Sequence, residues 1–204
     1  GDSKGLVSLD KLGASNWIKR RTSVKKKIRD LANNLIALAA KRAVIKGQKF
    51  SIDYNKLESF SKGFNFEETE DQLATLEEVY RDLSSGRLMD RLVCGDVGFG
   101  KTEIALRATS IVADNKYNVL LIAPTTLLAR QHFDTFKKRF NNIENVEVID
   151  RNTKKQSRKN IIDCFVQKEI KILISTHAIF SANLSQASIG LVIIDEEQRF
   201  GVSH

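Results

Sequence analysis

The sequence predicts an α/β protein in which a mainly parallel sheet is flanked by helices and preceded by a long basic α-helix. Three observations carry this. Short apolar runs at 118–123, 146–149, 170–175 and 190–195 alternate with stretches of helical spacing from Thr69 onward. Three of these runs are continuously apolar over 119–123, 172–174 and 191–194, as expected of strands covered on both faces of a parallel sheet. Upstream, a stretch of about 30 residues combines a one-sided apolar repeat with most of the chain's positive charge.

Composition narrows the class. The chain has 204 residues, 42% of them hydrophobic and 28% charged, as expected of an ordinary globular domain with an added element. One proline and 11 glycines exclude collagen-like, proline-rich and low-complexity chains. No apolar run approaches the roughly 18 residues of a membrane span, and the first residues lack the apolar core of a signal peptide. Cys94 and Cys164 are too few for a disulfide framework and form no zinc pattern. The expectation is a reduced, cytoplasmic protein with no membrane partner. Of the 33 Lys and Arg residues, twelve lie in 11–49 beside a single acid, Asp30. The remainder holds 21 basic and 24 acidic residues, so the excess of positive charge belongs to that one segment. A polyanion or an acidic protein surface is one partner it would suit, and a solvated helix face is the alternative.

In order along the chain, residues 1–13 read as a linker. Residues 14–47 form the long basic connecting helix. Val24, Ile28, Leu31, Leu35 and Leu38 recur on one face, Ser15 or Asn16 caps the start, and Gly47 stops it. Such a helix spans roughly 45 Å, long enough to join two modules, with a coiled coil as the weaker alternative. Residues 48–68 form a connecting segment whose aromatics (Phe50, Tyr54, Phe60, Phe64, Phe66) are expected to pack against the following domain. From 69 to 204 the alternation sets in, with helices at 70–84, 101–115, 125–140 and 153–168 and an additional short strand at 91–94.

Chemistry concentrates at two places. Gly95-Asp96-Val97-Gly98-Phe99-Gly100-Lys101-Thr102 fits G-x-x-x-x-G-K-[ST], between an apolar run and a helix. The glycines let successive backbone N–H groups turn inward onto phosphate oxygens, and the helix adds its positive end. Lys101 supplies charge to the β- and γ-phosphates, and the Thr102 hydroxyl is a ligand for Mg2+. Roughly 95 residues on, an apolar strand ends in Asp195-Glu196. Behind a phosphate loop, Asp195 holds the metal directly or through water, and Glu196 activates the attacking water.

Asp195-Glu196-Glu197-Gln198 is a D-E-x-[HQ] box of the kind superfamily 2 helicases and translocases carry. Pro124, Thr125 and Thr126 resemble their motif Ia, and Thr176-His177 resembles the pair that follows a later strand, both expected to touch a nucleic-acid backbone. Phe66 and Gln72 resemble the adenine-recognition element, with the ring stacking and the amide both donating and accepting. The segments 89–102 and 195–202, together with Leu9, Lys11, Leu12, Gly13 and Trp17, are similar to the bacterial transcription-repair coupling factors over essentially the whole chain.

That resemblance implies a first RecA-like P-loop NTPase lobe with its connecting helix. In the complete proteins it implies an ATP-driven translocase on double-stranded DNA that displaces stalled RNA polymerase and recruits the damage-recognition protein of excision repair, through regions outside this chain. ATP and Mg2+ are the implied cofactors. Catalysis falls to Lys101, Asp195 and Glu196. Gln198, Arg199 and Phe200 couple nucleotide state to DNA and to a second lobe. A RecG-like fork-remodelling lobe is the alternative, but such chains would carry Gln in place of Cys94, Ser in place of Phe99 and D-E-Q-H in place of D-E-E-Q. A non-catalytic adaptor role for the basic helix is the third reading. With no second lobe or arginine finger after residue 204, the expectation is a fragment that binds Mg-ATP and hydrolyses it poorly.

Overall fold

The computed structural model describes residues 15–96, 98–141 and 145–196, without the side chains of 15–19 and 43. The expected linker at 1–13 therefore lies outside the described residues. The chain divides into two units, 1–46 and 47–204.

The first unit is helix α1 (Ser15–Val44). Its interior has no glycine or proline, and Lys41 and Arg42 in the last turn complement the negative end of the helix dipole. Val24, Ile28, Leu31, Leu35 and Leu38 keep their one-sided spacing with exposed side chains.

The second unit comprises α2 (Tyr54–Ser61), α3 (Glu70–Ser84), α4 (Lys101–Asp114), β1 (Asn118–Ile122), α5 (Thr126–Phe140), β2 (Val146–Ile149), α6 (Lys155–Val166), β3 (Ile172–Ser175), a 3₁₀ turn (His177–Ser181) and β4 (Ile189–Ile194). The four strands pair in parallel in the order β2-β3-β1-β4. Central β1 is buried throughout, which is why residues 119–122 read as an unbroken apolar run. Alternate residues serve opposite faces. Val119, Leu121, Ile172 and Ile174 pack with Leu76 and Val79 of α3, Ile111 and Val112 of α4, and Phe136 and Phe140 of α5. Leu120, Ile122 and Leu173 pack with Phe165 of α6 and Ile179 of the 3₁₀ turn.

Residues 47–68 belong to this unit. Phe50 is buried in the larger core and meets Tyr117 edge-on at 5.5 Å. Phe60 packs on Phe140 at 5.0 Å. Helix α2, unforeseen from the sequence, is started by Asp53, whose carboxylate accepts from the N–H groups of Asn55 and Lys56.

One expected strand is absent. Residues 91–94 enter no ladder, and the sheet among the described residues has only the four strands above. An apolar run needs a neighbouring strand to bond to, and here α3 takes that place: Arg91 donates to Asp82 at 2.7 Å and also pairs with Glu78. Leu92 consequently stands exposed. Among the described residues no helix is long and apolar enough to cross a membrane.

Candidate nucleotide and nucleic-acid site

Strand direction gathers the expected residues at one edge. Residues leaving the carboxyl ends of the parallel strands are Thr125 after β1, Asp150 after β2, Thr176 after β3 and Asp195 after β4. Helix α4 turns back into β1 through three residues, so its amino end lies at the same edge. Crevices at strand carboxyl ends are where open α/β sheets bind ligands.

The loop before α4 is built for close backbone approach. Gly98 and Gly100 have φ of +87° and +77°, the left-handed region that glycine enters without steric cost. Gly100 is the N-cap of α4, so no capping side chain occupies the helix's first-turn N–H groups. Lys101 arches over the loop and donates from Nζ to the carbonyls of Gly95 at 2.5 Å and Asp96 at 2.8 Å. Phe99 lies against Gly95, where a Cβ would come within 2.9 Å of its ring. Val97 lies outside the described residues.

Gln72 reaches this loop from α3. Thr69 and Gln72 form a reciprocal capping box, the Gln72 Oε1 accepting from the Thr69 N–H at 3.0 Å. Its Nε2 donates to the carbonyl of Phe99 at 2.7 Å. A primary amide has two N–H donors and two lone pairs, so one of each remains after these two bonds. Phe66, 75% exposed, tilts against Phe64 at 5.5 Å and offers a free ring face.

Behind the loop is a buried ionic cluster that sequence reading missed. Glu103 on α4 accepts from Arg107 and from Arg139 of α5, each at 2.8 Å. Arg107 also pairs with Glu68 and lies over Phe64, while Arg139 lies over Phe60. The segment carrying Phe64, Phe66 and Glu68 is thus fastened to the helix that begins at Lys101. The bond from Arg107 holds the Glu68 carboxyl below its usual range.

At the far side of the edge, the Asp195 N–H donates to the Ile122 carbonyl at 2.9 Å, extending the β1–β4 ladder by one bond. Glu196 has φ of +53°, a strained conformation for a non-glycine residue at the end of the strand. His132 Nε2 lies 2.8 Å from Asp195 Oδ2. His132 follows Thr125 by seven residues, two turns along one helix face. Gln198, Arg199 and Phe200 lie outside the described residues.

The donor set suits Mg2+, a hard cation that prefers oxygen: a Thr102 hydroxyl and an Asp195 carboxylate. Among the described residues no three His, Cys, Asp or Glu side chains converge as a metal cage. A divalent ion held by those two groups would need further oxygen ligands, such as a nucleotide's phosphates.

Of the residues expected to meet nucleic acid, Thr125 is exposed and caps α5 through the Leu128 N–H at 3.2 Å, with Pro124 and Thr126 half-buried beside it. Thr176 is buried and caps the 3₁₀ turn, leaving His177 as the exposed member of that pair. Arg151, Lys154, Lys155 and Lys159, in the loop after β2 and the first turns of α6, are all exposed. Helix α6 starts among these cations with no acid in its first turn and no side-chain cap, an arrangement that an external anion would stabilise.

The model of the DEAD/DEAH box helicase family matches residues 69–204. Among curated relatives, the transcription-repair-coupling factor of Borreliella burgdorferi is 44% identical over 99% of this chain and 18% of its own length. That of Bacillus subtilis is 41% identical over 96% of this chain and 17% of its own length. That of Escherichia coli is 40% identical over the whole of this chain and 18% of its own length. The chain thus spans under a fifth of these relatives. Among solved structures, RecG bound to a three-way DNA junction superposes with a TM-score of 0.68 over 78% of this chain and 25% of that one. At 22% identity this is a likeness of fold.

Proposed function

This chain belongs to the DEAD/DEAH box helicase family, and on that premise we propose that it is the ATP-binding first lobe of a double-stranded DNA translocase of the transcription-repair coupling type. Displacement of stalled RNA polymerase and recruitment of excision repair are, on this reading, activities of the longer protein. The observation that carries the proposal is the joint presence, at one sheet edge, of an uncapped glycine loop opening α4 and an acid pair ending β4.

Each residue then has a task. The N–H groups of the loop and of the first turn of α4 hold the phosphates, and Lys101 leaves its two loop carbonyls to neutralise the β- and γ-oxygens. Thr102 and Asp195 hold Mg2+, which screens the phosphate charge when bound. Glu196 takes the proton of the attacking water. Gln72 offers its remaining donor and acceptor to the adenine edge, and Phe66 stacks on the ring. Pro124, Thr125, Thr126, Thr176 and His177, with the cations at 151–159, line the path of the DNA backbone, where Thr176 contributes through the turn it caps. A facing lobe supplies the arginine finger, worth roughly 10³–10⁵ in rate, so this chain alone binds ATP and turns it over very slowly.

Calorimetric titration with Mg-ATP and Mg-GTP, beside Lys101→Ala, tests the reading. ATP binding that disappears in the variant, with GTP much weaker, is expected. Equal binding of both nucleotides would discard the adenine roles of Phe66 and Gln72. No binding by the folded chain, or a DNA-stimulated turnover near one per second from it, would overturn the assignment.

A further inference from the structure

We propose that His132 is a positioning residue for the Asp195 carboxylate, setting from α5 the oxygen that the metal sees. The proposal rests on the reading of Asp195 as the metal-binding acid. His132 Nε2 is 2.8 Å from Asp195 Oδ2, across 63 residues of sequence. Neither partner is loose. The imidazole is largely buried, 14% exposed, and stands edge-on to the Phe136 ring at 6.4 Å and 83°. Phe136 is itself fully buried in the core between α5 and the sheet. Asp195 is fixed at its backbone by the bond to Ile122, so the orientation of its carboxylate is what His132 controls.

The choice of partner fits the task. An imidazole donating from Nε2 occupies one lone pair of Oδ2 and leaves the second carboxylate oxygen for a cation. Groups of this kind, one bond behind a metal ligand, fix ligand geometry and are worth roughly 10- to 100-fold in metal affinity. The same helix is capped by Thr125, two turns or about 10 Å from His132, so the carboxylate is oriented by an element that carries expected DNA contacts.

The test is a Mg2+ titration of ATP binding to this chain, with thermal melting to verify folding. The variants are His132→Phe, His132→Asn, His132→Gln and Asp195→Asn. Phenylalanine keeps the ring volume without the donor, and asparagine is too short to reach. A glutamine amide nitrogen falls near the imidazole Nε2 position. Expected are Mg2+ midpoints raised about tenfold in His132→Phe and His132→Asn, within about twofold of the parent in His132→Gln, and raised at least as far in Asp195→Asn. ATP binding in EDTA stays unchanged in all three His132 variants. A raised midpoint in Asp195→Asn with an unmoved His132→Phe would overturn the positioning role alone, as would a His132→Gln midpoint equal to that of His132→Phe. An unmoved Asp195→Asn would overturn the metal reading beneath it. Should His132→Phe fail to fold, the contrast between the asparagine and glutamine variants decides.

Discussion

Gly100 and Gln72 should be energetically coupled, and the size of the coupling follows from the geometry of the phosphate loop. A Cβ on Gly100 would stand 2.5 Å from Gln72 Nε2, and the residue's φ of +77° is one that L side chains rarely adopt. Gly100→Ala therefore carries about 1 kcal/mol of left-handed strain. It also displaces the Gln72 amide from the Phe99 carbonyl, a 2.7 Å bond worth about 1 kcal/mol net. The capping contact at Thr69 survives, because it lies at the other atom of the amide. Gln72→Ala loses both the Phe99 bond and its half of the capping box, about 2 kcal/mol together. In the double variant the Phe99 bond can be lost only once, so the combined cost falls short of additivity by about 1 kcal/mol. Urea unfolding of the four chains measures it, and each kcal/mol corresponds to roughly 2–4 °C in melting temperature for a unit of this size. Additivity within about 0.5 kcal/mol would show that the loop does not lean on Gln72 and would refute the argument.

Three other outcomes follow from the same structure. Glu103→Ala removes the carboxylate shared by buried Arg107 and Arg139; because Arg107 keeps Glu68, the loss sits at the low end for a broken buried pair, about 3 kcal/mol in urea unfolding. Burial alone would raise the Asp150 carboxyl, but the Asn152 N–H, Arg130 and Thr153 together hold it below its usual range. A lowered folded value means stability that is present above about pH 4 and drains away as pH falls through that value, so Asp150→Asn should flatten the acid limb of the stability profile and leave its slope above pH 5 unchanged. Replacing Lys154, Lys155 and Lys159 by alanine should weaken duplex DNA binding without regard to sequence. The slope of log K against log salt should shrink by about 0.9 for each lysine that had held a phosphate, and an unchanged slope would remove these lysines from the DNA path.

How much of this was legible in the sequence depended on whether the cause was local. β1 and β3 announce themselves because strands buried on both faces are apolar almost throughout, and β4 because its apolar run continues even where Val192 and Ile194 are exposed. α3 does so because Thr69 and Gln72 stand at capping-box spacing before the first apolar repeat. Residues 91–94 look equally strand-like, yet an apolar run specifies only a readiness to pair. Arg91 anchors that run to Asp82 and Glu78, and it makes no ladder. α2 was hidden by its brevity, with one buried residue, Leu57, in eight positions. The phosphate loop and the acid pair were legible as motifs. The second duty of Gln72, the Glu103 cluster and the His132–Asp195 contact were not, because each joins residues that only the folded sheet brings together.

Several of the nonlocal contacts meet on α5. Thr125 caps its start, Arg130 holds Asp150, His132 holds Asp195, and Arg139 near its end holds Glu103 behind the phosphate loop. Phe136 and Phe140 bury the carboxyl half in the core, whereas Thr125, Leu127 and Arg130 in the amino half are exposed. A force applied at Thr125 therefore acts on the less anchored end of a rod whose other end is fixed. Shifting His132 by only 0.5 Å along the bond would stretch 2.8 Å beyond the ordinary range for such a contact. The Asp195 carboxylate must then follow the helix or lose its orientation. On the proposed roles of Thr125 and Asp195, a push from a DNA backbone at the start of α5 would reach the Asp195 carboxylate through this one hydrogen bond.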